Sequence, residues 1–413
     1  MMRQRSKTMK KDAISYTEAR DLLLSLPMRT ETETVPLPKC WGRVLAQPLF
    51  AEENVPPFDR SAYDGYAVRA ADTADASDRH PVTLRILEEI PAGGVSRCSL
   101  TAGTAAKILT GAPIPEGCDS VVPFEKTTFT ESEVTLTVPC RPGANVILAG
   151  EDVQSGSLLA SAGTVIDASL MASLAGQNVS HPCCFRIPKV GIISTGSELL
   201  DVGVPLAPGQ IRNTNRYSLS GALRSLGTEP VFLGIGRDNA SQIASLIRQG
   251  LDRCDAVILT GGVSVGDYDL TPEAVTMAGA DVLFERLAMK PGKACCFGTA
   301  EGKLIAGLSG HPASSLIALC AVAAPYIKKL CGRRDFMNRE IPVTLGETLE
   351  KAASVTRLMW GTLDLTGGTA VVHLSSRQGN VIISSIIGTD VLAEIPAGSG
   401  PVEKGTTVKG FLI

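Results

Sequence analysis

The segment from Ala256 to Asp269, Ala-Val-Ile-Leu-Thr-Gly-Gly-Val-Ser-Val-Gly-Asp-Tyr-Asp, joins an apolar run to a glycine-rich stretch that ends in two carboxylates. Ala256 to Leu259 read as a strand covered on both faces. Gly261, Gly262 and Gly266 let the backbone turn sharply and bring N–H groups close to an anion. Asp267 and Asp269 cannot hold that anion themselves. A divalent cation between them and a phosphate reconciles the charges, because Mg²⁺ is usually held by one or two carboxylates plus substrate phosphate oxygens. An ordinary turn after a strand is the competing reading of this segment taken alone.

Two further stretches have residue types suited to anions. Met289-Lys-Pro-Gly-Lys293 presents Lys290 and Lys293 across a turn, for which a solvated turn is the competing reading. Gly307-Leu-Ser-Gly-His-Pro-Ala-Ser314 is a glycine loop entering a helix, so Ser309, Gly310 and His311 stand where free N–H groups attract anions. Nothing in sequence near His311 offers a second His or Cys, and Mg²⁺ prefers oxygen, so His311 is expected in the ligand loop and not on a metal.

The elements that must position these residues are α/β in character. Lys189 to Ser194 and Val231 to Ile235 read as strands, followed by Thr195-Gly-Ser-Glu198 and Arg237-Asp238-Asn239. Leu219, Ala222, Leu223 and Leu226 recur at helix spacing before Gly227 stops the run, and Ile243, Leu246, Ile247 and Leu251 do the same. Asp238 or Asn239 caps that second helix. Strands alternating with helices imply parallel βαβ units, whose ligands bind beyond the carboxyl ends of the strands. Glu198, Asp238 and Asp269 all fall on that edge.

A chain of 413 residues has room for roughly three domains. Hydrophobic residues at 44% and charged residues at 20% describe a globular chain. A net charge of -3 argues against a sequence-independent grip on nucleic acid. The longest apolar helix candidate, Leu316 to Ile327, contains Pro325 and falls short of the ~20 residues of a membrane span, so no membrane partner is expected. Five Lys/Arg in the first eleven residues precede no apolar region and read as a tail. The 11 cysteines include two adjacent pairs and no C-x-x-C, which fits neither zinc nor a disulfide framework and suits a reducing cytoplasm. Cys295 and Cys296 are expected mostly as core, with a ligand-facing role as the minor reading.

Ser15-Tyr-Thr-Glu18 is a capping box opening a helix with Ala19, Leu22, Leu23 and Leu26 on one face. The stretch from about Pro48 to Leu148 is rich in Val, Thr, Gly and Pro in short runs and reads as a β-rich insertion. It contains two polar loops stiffened by proline or aromatics, Pro56 to Ala67 and Ile108 to Gly117. Helical character returns through Ala168 to Gly176, and the chain from Ile341 onward reads as a small β domain.

Six motifs then occur in one order: Ser61-Ala-Tyr-Asp-Gly-Tyr-Ala67, Leu109-Thr-Gly-Ala-Pro-Ile-Pro-Glu-Gly117, Ala149-Gly-Glu-Asp152, Ser194-Thr-Gly-Ser-Glu198, the Gly261 to Asp269 loop and Lys290-Pro-Gly-Lys293. Together they resemble the MoeA family of molybdopterin molybdenumtransferases, which includes the carboxyl-terminal domain of gephyrin. The resemblance runs from about residue 15 to the end. It implies a multidomain α/β fold with four parts: a split helical domain (13–47 plus 149–185), a β-rich inserted domain (48–148), a MogA-like three-layer α/β domain (186–335) and a small C-terminal β-barrel domain (336–413). It implies insertion of molybdate into adenylated molybdopterin with Mg²⁺-dependent release of AMP, in a cytoplasmic homodimer whose site lies between one subunit's α/β domain and the other's β-rich part. Contact with a MogA-type adenylyltransferase is also implied.

By matching motif positions, the resemblance gives catalytic roles to Asp64, Thr110, Glu198, Asp269 and Lys290, and metal binding to Asp238, Asp267 and Asp269. Ser194, Thr195, Gly261, Gly262, Ser264, Gly266, Arg286, Lys293, Ser309, Gly310, His311 and Arg357 are then expected around the anionic substrates. Molybdate and a pyrophosphate link are both anionic, and like charges 4 Å apart repel by ~1 kcal/mol per unit pair in water and ~4 kcal/mol at an effective dielectric of 20, so cations must intervene. The chain departs from the family pattern in Ser309-Gly-His-Pro312, where Pro-Gly-Asn-Pro is usual, and in Ile147-Leu-Ala149, which lacks a basic residue. It departs again in Gln378-Gly-Asn380, where Gln-Gly-Ser is typical, and at Arg286 in place of lysine. These changes keep open a non-catalytic or altered-specificity paralogue acting as a molybdopterin-binding or scaffold protein. A molybdopterin adenylyltransferase, which shares the same α/β domain type, is a second alternative, against which the β-rich insertion and the C-terminal part favour the transferase.

Overall fold

The computed structural model describes residues 13–263 and 270–413. Ser264, Gly266, Asp267 and Asp269, and the basic residues that precede Ala13, lie outside the described residues. The chain forms two compact units, one from the segments up to Gln47, Ala162–Asp167 and Pro182–Ile413, the other from Pro48–Ser161 and Ala168–His181.

In the first unit, a six-stranded sheet runs in the order Glu229–Gly236, Lys189–Thr195, Ala256–Thr260, Lys303–Leu308, Ala294–Ala300, Asp281–Arg286. The first four strands are mutually parallel, and Ala294–Ala300 runs antiparallel to both its neighbours. Side chains alternate between faces, as the pleat requires. Val190, Ile192, Ala256, Ile258, Leu304 and Ala306 pack with Leu219, Leu223 and Ile317 on one face. Ile193, Val257, Leu259 and Ile305 pack with Ile243, Ile247 and Ala274 on the other. The result is three layers, with helices Thr214–Ser225 and Pro312–Leu330 covering one face and Ala240–Arg253 and Thr271–Met277 the other.

The helix boundaries follow from local chemistry. Asn213 and Asn239 cap their helices by accepting the N–H groups of Arg216 and Gln242, so Asn239, and not Asp238, is the cap. Ser15 and Glu18 form the expected capping box, and the helix Tyr16–Leu24 docks through Tyr16, whose hydroxyl donates to Glu394 at 2.8 Å and whose ring meets Phe411 edge-on. The helix from Pro312 is longer than its sequence suggests. It runs 19 residues to Leu330, through Pro325, with Leu319–Ala323 wound as a π turn. That wider turn accommodates a proline that would otherwise clash with the preceding turn. Its length and mean hydropathy of 1.3 would suit a membrane span, but 78% of it is buried inside the protein, which makes it a core helix.

Five strands of the same unit close a barrel: Thr356–Asp364 pairs with Val371–Leu374, then Glu340–Leu345, Thr407–Leu412 and Val391–Ile395, which returns to Thr356–Asp364. The short strand Met289–Lys290 adds to Thr356–Asp364 in parallel, opposing Lys290 to Arg357. The expected multidomain α/β fold with a C-terminal barrel is therefore present.

The second unit is built on another six-stranded sheet, in the order Ser120–Pro123, Gly65–Val68, Thr104–Ile108, Val82–Ile90, Glu133–Leu136, Thr128–Phe129. Tyr66, Val68, Leu84, Ala105, Val134 and Leu136 form the core on one face, and Ala67, Ile90, Ala106, Ile108 and Val121 that on the other. Leu158–Ala160 pairs with Leu49–Phe50, and the helix Ala168–Gly176 completes the unit.

Candidate functional site

The register of the parallel strands sets the site. Thr195 lies opposite Gly236, Ser194 opposite Thr260, and Thr260 opposite Leu308. All four strands therefore end at one level, and Glu198, Asp238, Gly261 and Ser309 leave the sheet from the same edge. The backbone N–H of Ser197 donates to Asp238 Oδ2 at 3.3 Å, and that of Asp238 to Ser197 Oγ at 3.4 Å. This reciprocal pair ties the two acidic loops together.

Gly261 and Gly262 occupy the left-handed region, with φ of 94° and 62°. A Cβ on Gly261 would stand 2.5 Å from Thr195 Oγ1, so the glycine also permits close approach to the neighbouring strand end. Thr195 Oγ1 donates to the carbonyl of Thr260 at 3.0 Å, and Thr271 Oγ1 to that of Gly261 at 3.0 Å, fixing the turn from both sides.

Two cavities open along this edge. The first, of about 780 Å³, is lined by Thr195, Glu198, Asp238, Gly261, Gly262, Gly310, His311 and by Ile211 to Asn215 at the start of a helix. The second, of about 680 Å³, is lined by Lys290, Lys293, Ser309, Gly310, His311, Ser314, Ser354 and Asn380. Gly310 and His311 belong to both. The first cavity thus carries the carboxylates Glu198 and Asp238 together with Arg212, and the second carries Lys290 and Lys293.

Several expected residues take other places. Ser194 is fully buried and its hydroxyl donates to Asn213 Oδ1 at 2.9 Å, so it supports the cavity wall and does not line it. Arg286 and Arg357 are absent from the linings of both cavities; Arg286 is exposed on the outermost strand, and Arg357 donates to the carbonyl of Lys351. Cys295 and Cys296 are buried in the cores of opposite sheet faces, and desolvation holds the Cys295 thiol well above its ordinary pKa. Asp64 and Thr110 meet in the β-rich unit, where Asp64 Oδ1 accepts both the backbone N–H and the hydroxyl of Thr110 at 2.7 Å. These bonds hold the Asp64 carboxyl below its ordinary pKa, the backbone N–H contributing most.

Three asparagines escape a reading by apolar periodicity. Asn213 uses its Oδ1 twice, while its buried Nδ2 has no partner among the described residues. Asn215 donates to the carbonyl of Gly310 at 2.9 Å, holding the loop that divides the two cavities. Asn380 comes from beyond the barrel strand Val371–Leu374. The signal for the first two was the polar run Arg212-Asn-Thr-Asn215 directly before a helix, an N-cap signature beyond a strand end.

Three family models match successive parts of the chain: the MoeA N-terminal region (domain I and II) over residues 14–177, a probable molybdopterin binding domain over 191–329, and the MoeA C-terminal region (domain IV) over 342–412. A molybdopterin molybdenumtransferase from Staphylococcus aureus is 33% identical over 97% of this chain and 95% of its own length. One from Bacillus subtilis is 34% identical over 98% and 95%. The chain belongs to the MoeA family. The crystal structure of the molybdopterin biosynthesis MoeA protein from Pyrococcus horikoshii superposes with a TM-score of 0.85 at 31% identity, covering 97% of this chain and 100% of that one. In MoeA terms, both cavities lie between residues of the matched molybdopterin-binding segment and a few from the barrel, Val381 in the first and Ser354, Val355 and Asn380 in the second.

Proposed function

We propose that this chain is a molybdopterin molybdenumtransferase, inserting molybdate into adenylated molybdopterin with release of AMP in molybdenum cofactor biosynthesis. The observation that carries this reading is the pair of cavities sharing Gly310 and His311, one lined by Glu198 and Asp238 and the other by Lys290 and Lys293. Lys290 and Lys293 provide positive charge for a dianionic oxyanion. The Gly261 turn lets backbone approach the phosphates closely.

Magnesium fits the acidic cavity by donor type. Glu198 and Asp238 offer hard oxygen ligands, and Asp238 is already oriented by Ser197. Mg²⁺ is commonly held by one or two carboxylates plus substrate oxygens. Asp267 and Asp269 would complete that set. Bound magnesium would supply positive charge to the phosphate oxygens as AMP leaves. The chain's own part is to orient the phosphates against Gly261 and Gly262 and to hold the oxyanion at the lysines, so the reacting groups meet in one place.

The reading includes a cytoplasmic homodimer that receives its substrate from a MogA-type adenylyltransferase. It is tested by incubating the purified chain with adenylated molybdopterin, Mg²⁺ and molybdate and following AMP. Release that requires both Mg²⁺ and molybdate supports it. Tight pterin binding without AMP would support a scaffold instead, and consumption of ATP with formation of adenylated pterin would identify an adenylyltransferase.

A further inference from the structure

His311 stands at the N-cap of the helix that begins at Pro312, a position where Ser, Thr, Asp or Asn would satisfy a free backbone N–H. Its side chain makes no capping bond. The residue is exposed; its backbone N–H donates to Ser309 Oγ at 3.2 Å and its carbonyl accepts from the Ser315 N–H at 3.0 Å, while among the described residues its ring makes no hydrogen bond. A local rule is therefore broken at a cavity wall, which is where function tends to override local stability.

The wall in question is shared. Gly310 and His311 line both the carboxylate cavity and the lysine cavity, and Gly310 has no side chain to contribute. The backbone there is held from behind, because Asn215 Nδ2 donates to the Gly310 carbonyl. An imidazole carries a nitrogen on each edge, one a donor and the other an acceptor when neutral, both donors when charged. A single ring at this border can meet an atom of an occupant on either side.

We propose that His311 couples the two cavities: its ring contacts both the oxyanion held by Lys290 and Lys293 and the nucleotide portion in the Glu198–Asp238 cavity, so that each occupant changes the affinity for the other. The proposal rests on the transferase reading and adds a residue that links its two substrates. Two anions in adjoining cavities repel, and a polar ring between them offsets that repulsion when both are present. By linkage the effect is reciprocal, the nucleotide changing molybdate affinity by the same factor as molybdate changes that of the nucleotide.

The test is calorimetric titration of the full chain with molybdate, alone and with saturating AMP and Mg²⁺. It is run on the wild type, His311→Ala and His311→Gln. Substitution removes no cap bond, so thermal unfolding should show both variants folded. The ratio of the two molybdate affinities should be at least about fivefold less favourable in His311→Ala than in the wild type. His311→Gln, which keeps a donor and an acceptor, should restore part of the ratio, whereas a purely packing role would be lost equally in both. An unchanged ratio in His311→Ala would overturn the coupling while leaving the transferase reading intact. Failure of the wild type to release AMP in the turnover assay would remove the transferase reading itself.

Discussion

A single oxygen of Asp64 accepts two hydrogen bonds from Thr110, one from its backbone N–H and one from its hydroxyl, both at 2.7 Å. The two residues lie on different strand ends of the β-rich sheet, brought together because Gly65 pairs with Ile108. Only glycine fits at 65, since a Cβ there would stand 2.1 Å from the Val122 carbonyl oxygen.

This relationship gives a pH signature. The Asp64 pKa is depressed in the folded chain, first by the Thr110 backbone N–H and then by its hydroxyl. A depressed carboxylate stabilises the fold above its unfolded pKa of about 3.9, and that contribution is lost as pH falls through the lower folded value. In Thr110→Ala the hydroxyl bond is gone and the backbone bond remains. Carbon-detected NMR titration should show the Asp64 pKa rising toward its ordinary value while staying below it. No rise would mean that the hydroxyl bond does not persist in solution.

Gly261→Ala should separate shape from flexibility. Gly203 has a similar φ of 85° but nothing within 4 Å of a built Cβ, whereas Gly261 meets Thr195 Oγ1 at 2.5 Å. Left-handed backbone alone costs a non-glycine residue ~1–2 kcal/mol. Gly203→Ala should therefore lose about that much stability in urea unfolding. Gly261→Ala should lose at least ~1 kcal/mol more, the order of an overpacked contact, together with most AMP release. Equal losses would show that Thr195 moves aside freely.

The sheet edge was legible in the sequence because strand ends, glycines and carboxylates are local signals. Lys189 to Ser194, Ala256 to Leu259 and the two periodic helices fall within one or two residues of the elements their patterns predict. Residues brought in by distant packing were not legible. Ser354 reaches the lysine cavity from the barrel, which no local spacing announces, and Asn380 stood out only as a departure from the family pattern. Asn215 reads as an ordinary polar residue at a helix start until its bond to the Gly310 carbonyl, 95 residues away, is seen. The helix candidate Leu316 to Ile327 already passed Pro325, which the π turn before it permits; its ends at Pro312 and Leu330 were not legible because Ser314, Ser315, Lys328 and Lys329 interrupt the apolar run.

Asp238→Asn tests the acidic cavity. The amide oxygen can still accept from Ser197, so the loop pair should survive, but the negative charge is removed. The Mg²⁺ concentration giving half-maximal AMP release should rise at least about tenfold, corresponding to ~1.4 kcal/mol of lost interaction. Asp269→Asn should behave alike if both carboxylates serve one ion. Unaltered Mg²⁺ dependence in both variants would place the metal elsewhere.

The lysine cavity makes the most direct prediction. Lys290 is exposed on a two-residue strand that opposes it to Arg357, while Lys293 follows the turn at Gly292, and both line the cavity with Ser309 and His311. Neither lysine has a carboxylate partner among the described residues, so both charges are free to meet a dianion. Hydrogen bonds to charged groups contribute ~1.5–3 kcal/mol, and a partly exposed site is expected at the low end. Lys290→Ala should therefore weaken molybdate binding by about tenfold, and Lys290→Arg should recover only part, because a planar guanidinium does not reproduce a compact ammonium at a fixed point. Raising ionic strength should weaken the wild type more than Lys290→Ala, since the variant has one charge fewer to screen. Identical molybdate affinities for wild type and Lys290→Ala at low salt would move the oxyanion out of this cavity.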